Sequence, residues 1–191
     1  TDAGSVPNVV SSVTITNGDE DVTGNYTINK VNGTLTVGPK PVTITATDAN
    51  FTYNGSPQSD NRYTVSELVG SDEITAVVEG SITYPSESPV TNEVTSHSFT
   101  AGNPDNYTVT YVNGTLTMTE AAIAITVEAP TTSWTYDGLE HSDDDYTLTG
   151  TLLNGDEITV VITGSITDAG SVPNVVSSVT ITNGNEDVTG N

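Results

Sequence analysis

Apolar residues alternate with threonine and other small polar residues over most of the chain. The alternation is plain in Val13-Thr14-Ile15-Thr16, Thr34-Leu35-Thr36-Val37, Val42-Thr43-Ile44-Thr45-Ala46 and Thr115-Leu116-Thr117-Met118. A period of two marks a half-buried strand, and β-branched threonine suits the solvent face of a pleated sheet. Asn-Gly at 17–18, 32–33, 54–55, 113–114, 154–155 and 183–184, and Asp-Gly at 137–138, punctuate these runs. Both dipeptides readily take the positive φ angles of tight hairpin turns. The best helical candidate, Thr119-Glu120-Ala121-Ala122-Ile123-Ala124, is short and runs into the alternating Ile125-Thr126-Val127. The pattern predicts an all-β fold, or a β-rich α+β fold with one short helix.

The same stretches return at a fixed spacing. Thr1 to Asn25 reappears as Thr167 to Asn191, offset by 166, with Asp19 replaced by Asn185. FTYNG at 51–55 answers WTYDG at 134–138 at half that distance, 83 residues. DEITAVVEGSIT from Asp72 returns as DEITVVITGSIT from Asp156, and NYTINKVNGTLTV from Asn25 as NYTVTYVNGTLTM from Asn106. A period of this kind is the mark of a repeat architecture. It divides the chain into the C-terminal part of one unit (1–38), a complete unit (39–118) and the N-terminal part of a third (119–191), that is, tandem small β domains in an elongated array. The junctions Gly38-Pro39-Lys40-Pro41 and Thr119-Glu120-Ala121-Ala122 are short, and the prolines stiffen the first. A semi-rigid rod is expected. Since a part of a β domain leaves sheet edges uncovered, neighbouring repeats or another copy of the chain are expected to supply strands in a head-to-tail arrangement.

Charge narrows the partners. Twenty-five acidic residues stand against Lys30, Lys40 and Arg62, a formal net charge of −22. Phosphate recognition needs a basic patch, which excludes nucleic acid, and the same field repels an anionic membrane. No apolar run approaches the ~20 residues of a membrane span, so no membrane insertion is expected in this segment. The absence of cysteine excludes disulfides, thiol catalysis and thiolate metal sites. Each unit must therefore be held by its core.

The framework Lys40-Pro41-Val42-Thr43-Ile44, Phe51-Thr52-Tyr53-Asn54-Gly55 and Asn106-Tyr107-Thr108-Val109-Thr110-Tyr111-Val112-Asn113-Gly114-Thr115-Leu116-Thr117 resembles the MBG repeats of bacterial surface proteins, named for similarity to mucin-binding repeats. Trp134-Thr135-Tyr136-Asp137-Gly138 is similar to the related YDG type. The resemblance implies a small β-rich domain, β-grasp-like or sandwich-like. It also implies long arrays on extracellular, cell-surface adhesins, and it carries no catalytic residues.

Candidate sites weigh accordingly, and no catalytic, cofactor-binding or metal residue is assigned. Tyr53 to Gly55 and Tyr136 to Gly138 recur once per unit, as aromatics anchoring tight turns would. Tyr26 and Tyr107 read as core or corner tyrosines whose hydroxyls find backbone partners. Trp134 is the first aromatic to consider for stacking on a sugar. His97 and His141 have no repeated counterparts and read as surface residues. Calcium is the metal to consider, because Asp19, Glu20, Asp21, Asn25 and Asp143 to Asp145 offer hard oxygens, but the spacing matches no EF-hand and Asp19 is not kept in the copy. Lys30 is matched by Tyr111, so a lysine cross-link cannot recur in every unit. The sequons at Asn25, Asn32, Asn106 and Asn113 coincide with turn and strand positions. Small units with acids mostly in turns do not build a glycosidase cleft, so no enzyme is expected. Two functions stand: a structural stalk or filament-forming spacer of an adhesin, and a multivalent module that grips host glycan or mucin.

Overall fold

The computed structural model describes residues 2–190 and is all-β, with three 3-10 turns at Thr23–Asn25, Pro85–Glu87 and Pro104–Asn106 as the helical elements among the described residues. The candidate helix after Thr119 forms no helix: residues 120–125 have no regular secondary structure, and Ala122 takes the left-handed φ of 52°. Within the first stretch lie β1 (Gly4–Asn8), β2 (Thr16–Asn17), β3 (Glu20–Asp21) and β4 (Gly33–Val37). The middle stretch holds β5 (Lys40–Ala46), β6 (Ala49–Thr52), β7 (Tyr63–Val65), β8 (Glu73–Glu79), β9 (Val90–Ala101), β10 (Tyr107–Val112) and β11 (Gly114–Thr119). The last stretch contributes β12 (Thr126–Glu128), β13 (Thr147–Thr149), β14 (Asp156–Thr163), β15 (Val175–Asn183) and β16 (Glu186–Asp187). Among the described residues every ladder closes inside one of these three stretches.

The middle stretch is built around a parallel pairing of its first and last strands. β5 runs beside β10 from Tyr107↔Lys40 to Val112↔Thr45, and β6 beside β11 from Leu116↔Ala49 to Thr119↔Thr52. Parallel neighbours require a long crossover, here everything from residue 53 to 106. Long β9 pairs with β8 along most of its length and with β11 at its start. Alternation then works as predicted. Val42, Ile44 and Ala46 of β5 point inward with Ile74 and Val78 of β8, packed by Val65 and Phe99. Leu116 and Met118 of β11 bury at the other end with Tyr53 and Ile82.

Two of the Asn-Gly pairs are not turns. The 17–18 and 183–184 pairs do cap the β2–β3 and β15–β16 hairpins, with Gly18 and Gly184 at φ 62° and 60°. Asn113 and Gly114, by contrast, link β10 to β11, which belong to different sheets, and Gly33 of Asn32-Gly33 opens β4. A Cβ on Gly114 would lie 2.6 Å from the Thr47 carbonyl, so glycine is required there for close approach of two strands rather than for a reversal. The Asn113 side chain accepts from Val94 N–H at 3.1 Å.

Candidate functional site

The repeated positions converge on two places: an asparagine that ties a loop to a strand in the middle and last stretches, buried at Asn92 and half-buried at Asn174, and a joint between those two stretches. Asn92 is fully buried, and its amide donates to the carbonyls of Thr47 (3.0 Å) and Asp60 (2.9 Å). Asn174, 82 residues on, makes the same two bonds to acceptors 83 residues on, Pro130 (3.4 Å) and Asp143 (2.9 Å). Each asparagine thus ties the loop carrying a repeated aspartate to the end of the opening strand. Asp60 is itself buried, chelated by the Arg62 guanidinium at 2.6 to 3.1 Å, which holds its carboxyl below the usual range. Asp143 accepts instead from the Thr132 hydroxyl and from Asp145 N–H. The sequence signal for this element was the recurrence of Asn8, Asn92 and Asn174 among apolar residues, a pattern easily read as turn chemistry.

At the joint, the tyrosine of the 53–55 turn lies under the last stretch. Tyr53 is 2% exposed, and its hydroxyl donates to Asp156 Oδ1 at 2.7 Å, an oxygen that also accepts from Asn183 Nδ2 at 2.8 Å. Tyr84 donates to the Asn183 carbonyl (3.2 Å), Ser86 to Glu186 (2.8 Å), and Asn154 donates to Ser56 Oγ (3.0 Å). Beneath these bonds Val188, Leu153 and Ile181 of the last stretch complete the cluster of Tyr53, Ile82, Leu116 and Met118. Gly55, at φ 76°, sits directly against the Asn154 backbone, leaving no room for a Cβ. The joint is therefore apolar at its centre with a hydrogen-bonded rim.

Burial first, and the Asp156 carboxylate second, push the Tyr53 phenol above its ordinary value. Tyr107 shifts the same way, mainly through its 2.5 Å bond to Asp72 within the unit. A phenol whose folded pKa is raised contributes stability that is whole below its unfolded pKa, about 10, and is lost as pH rises toward the folded value. Stability is therefore expected to fall above about pH 10. Tyr53→Phe should reduce that alkaline slope and cost about 1 kcal/mol at neutral pH. Chemical denaturation followed across that pH range checks both.

Other expected positions are placed as follows. Tyr107 is buried and accepts from Val69 N–H at 3.0 Å, but Tyr26 is 58% exposed. Asp21 and Asp187 accept from the backbone N–H and hydroxyl of Thr23 and Thr189 and are held below the usual carboxylate range, so these acids work as hairpin caps. Among the described residues no three His, Asp or Glu side chains gather in a way that could hold a metal. Lys30 donates to the Ser11 carbonyl, and His97 meets the Tyr111 hydroxyl at 2.5 Å.

Trp134 stacks on His141 (5.2 Å, 12°), whose Nε2 lies 3.0 Å from Asp137. Leu139 N–H, then His141, keep the Asp137 carboxyl low. The pair borders a cleft of 640 Å³ whose two walls are residues 129–136 and 164–174. In the middle stretch the matching walls, β6 and the start of β9, flank β11, so the cleft lies where a strand sits in the complete unit.

These features define an all-β chain in which polar residues at repeated sequence positions brace loops and the contact between the middle and last stretches. Residues 42–117, within the middle stretch, match the family model of the MBG domain (YGX type), a domain that occurs in surface proteins. No curated protein and no solved structure matches the chain.

Proposed function

We propose that the chain is a structural segment of an extracellular bacterial surface protein, with its repeats acting as stalk or filament-forming spacers of an adhesin. The observation that carries this reading is the joint. The motif residues that recur by period, Tyr53, Gly55, Asp156 and Asn183, meet one another across two stretches instead of facing an open cleft. A spacer must transmit position, and a joint with an apolar centre and paired rim resists bending better than a linker. The acidic surface supports the same role, since like charges along a string of modules keep it extended and soluble.

A second reading, multivalent binding of host glycan or mucin, is favoured by one observation, the half-exposed Trp134 stacked on His141 beside Asp137. Titration of the chain against immobilised mucin and a glycan array separates the two. The spacer reading expects no saturable binding and no effect of Trp134→Ala. Saturable binding abolished by Trp134→Ala would replace it with the binding reading.

A further inference from the structure

The period sorts the stretches into two types that differ at the joint. Residues 1–25 and 167–191 are the same sequence apart from one position, so the first and last stretches share an outer type and the middle stretch is of another. Ile74 pairs with Phe99 as Ile158 pairs with Ile181, which fixes the correspondence between the two matching ladders. From there the next matched asparagine lies ten positions on in the last stretch (Ile181 to Asn191) and in the first (Ile15 to Asn25), but seven on in the middle one (Phe99 to Asn106). The longer version forms a hairpin, at 16–21 and 182–187, where the middle stretch has the 3-10 turn Pro104–Asn106. That hairpin is the part of the last stretch that reaches Tyr84 and Ser86. Tyr84 donates to its Asn183 carbonyl, Ser86 donates to its Glu186 carboxylate, and Val188 just beyond it is 4% exposed in the cluster with Tyr53 and Ile82.

We propose that docking is specific for order: the hairpin of an outer-type module fits the face of a middle-type module that precedes it, and the reverse order cannot build the same joint. This order rule rests on the joint behind the spacer reading and adds which modules that joint can link. The period carries each contact over to the reverse order. On the receiving face Ser56, Tyr84 and Ser86 become Leu139, Asp168 and Gly170, and on the docking face Asn154 becomes Gly70. A carboxylate and a glycine supply no side-chain donor, so the bonds made by Tyr84 and Ser86 are lost. Gly70 and Leu139 likewise cannot replace the bond of Asn154 to Ser56. The hairpin carrying Val188 has no counterpart. The pair kept in kind is Tyr136 with Asp72, and Asp72 already accepts from Tyr107 of its own unit at 2.5 Å. An outer-type stretch precedes a middle-type one at the start of this chain. There Asp2 stands in the place of Tyr84 and accepts from Asn106 Nδ2 at 2.9 Å, while Ala3 N–H donates to Asn106 Oδ1 at 2.6 Å, so an asparagine replaces the hairpin as the partner. Discrimination of this kind comes as much from the groups that fail to pair as from those that do. The array is then a string of docked pairs, middle type followed by outer type, that bends between pairs.

Because residues 167–191 repeat 1–25, the chain can be continued in phase by appending residues 26–191 to Asn191, which sets a full reverse-order pair between two docked pairs. Spin labels at Glu79→Cys and Thr163→Cys, exposed positions on β8 and β14, report the docked order in the chain as it stands. Thr163→Cys with Glu79→Cys of the appended portion reports the reverse order. Pulsed dipolar spectroscopy should give one narrow distance distribution for the first pair and a broad one for the second. In the unextended chain, Tyr84→Asp with Ser86→Gly, which gives the middle stretch the other type's residues, should turn the narrow distribution broad while the amide shifts of β5 and β8 stay in place. Exchanging residues 184–190 for the middle-type turn 102–105 should do the same, an arm that leaves the middle stretch untouched. A narrow distribution for the reverse pair, or a native one that neither change broadens, would overturn the order rule and leave the joint standing. A broad distribution for the native pair would remove the joint as well, and the spacer reading with it.

Discussion

Asn92→Ala is expected to lower the unfolding free energy by about 4 kcal/mol, since it strands two carbonyls in the core at about 1–3 kcal/mol each and leaves a small void. Asn92 makes both of its amide bonds to backbone, to Thr47 and Asp60, in a fully buried position. Nothing nearby can replace those donors: its neighbours across the sheet are glycines, with Gly80 approached so closely that a Cβ there would sit 2.9 Å from Asn92 Oδ1. Asn92→Asp should be worse still, because it removes the donors and sets a carboxylate against two carbonyl oxygens. Asn174→Ala should cost less, its site being only half buried and one of its bonds long at 3.4 Å. Urea unfolding of the three variants gives the ranking. A cost for Asn92→Ala below about 1 kcal/mol would mean that water takes over the two carbonyls and that the asparagine is not a brace.

Gly55→Val should separate the middle and last stretches without unfolding the middle one. A β-branched residue at φ 76° is strained by itself, and its Cβ would collide with the Asn154 backbone. The collision falls on the joint, remote from the cluster of Ile44, Ile74, Val78 and Val94. Amide shifts at 153–156 and 181–188 should therefore change while those of β5 and β8 stay in place, and Val188 should become accessible. Gly138→Val is the internal control, since Gly138 has the same positive φ and no close neighbour beyond the Tyr136 hydroxyl at 4.0 Å. Its effect should be confined to local strain, with the joint intact.

Much of this was legible from local pattern. The alternation in β5 and β11 located core residues, whereas the same alternation in β4 lies exposed, and the Asn-Gly hairpins at 17–18 and 183–184 fell where the dipeptide indicated. Pairing was not legible. The parallel contact of β5 with β10 joins residues 67 apart at Tyr107↔Lys40, and nothing in a strand's own period names its partner. Gly114 shows the same limit, because glycine serves both turns and close approaches, and only the position of the Thr47 carbonyl decides between them. The joint was hidden for a related reason. A tyrosine before Asn-Gly looks like a turn anchor, and its bond to Asp156 spans 103 residues of sequence. Tyr136 holds the equivalent position and is 66% exposed, so the motif's sequence does not by itself decide its burial.

The central claim is that one module docks on the next in a single fixed pose. Because the chain has no cysteine, two spin labels can be placed without interference at Glu79→Cys and Thr163→Cys, exposed ends of the matching strands β8 and β14. Pulsed dipolar spectroscopy on this pair should give one narrow distance distribution, which broadens when Gly55→Val is added. A broad distribution in the otherwise native chain, unchanged by Gly55→Val, would show two modules on a loose tether and would contradict the account.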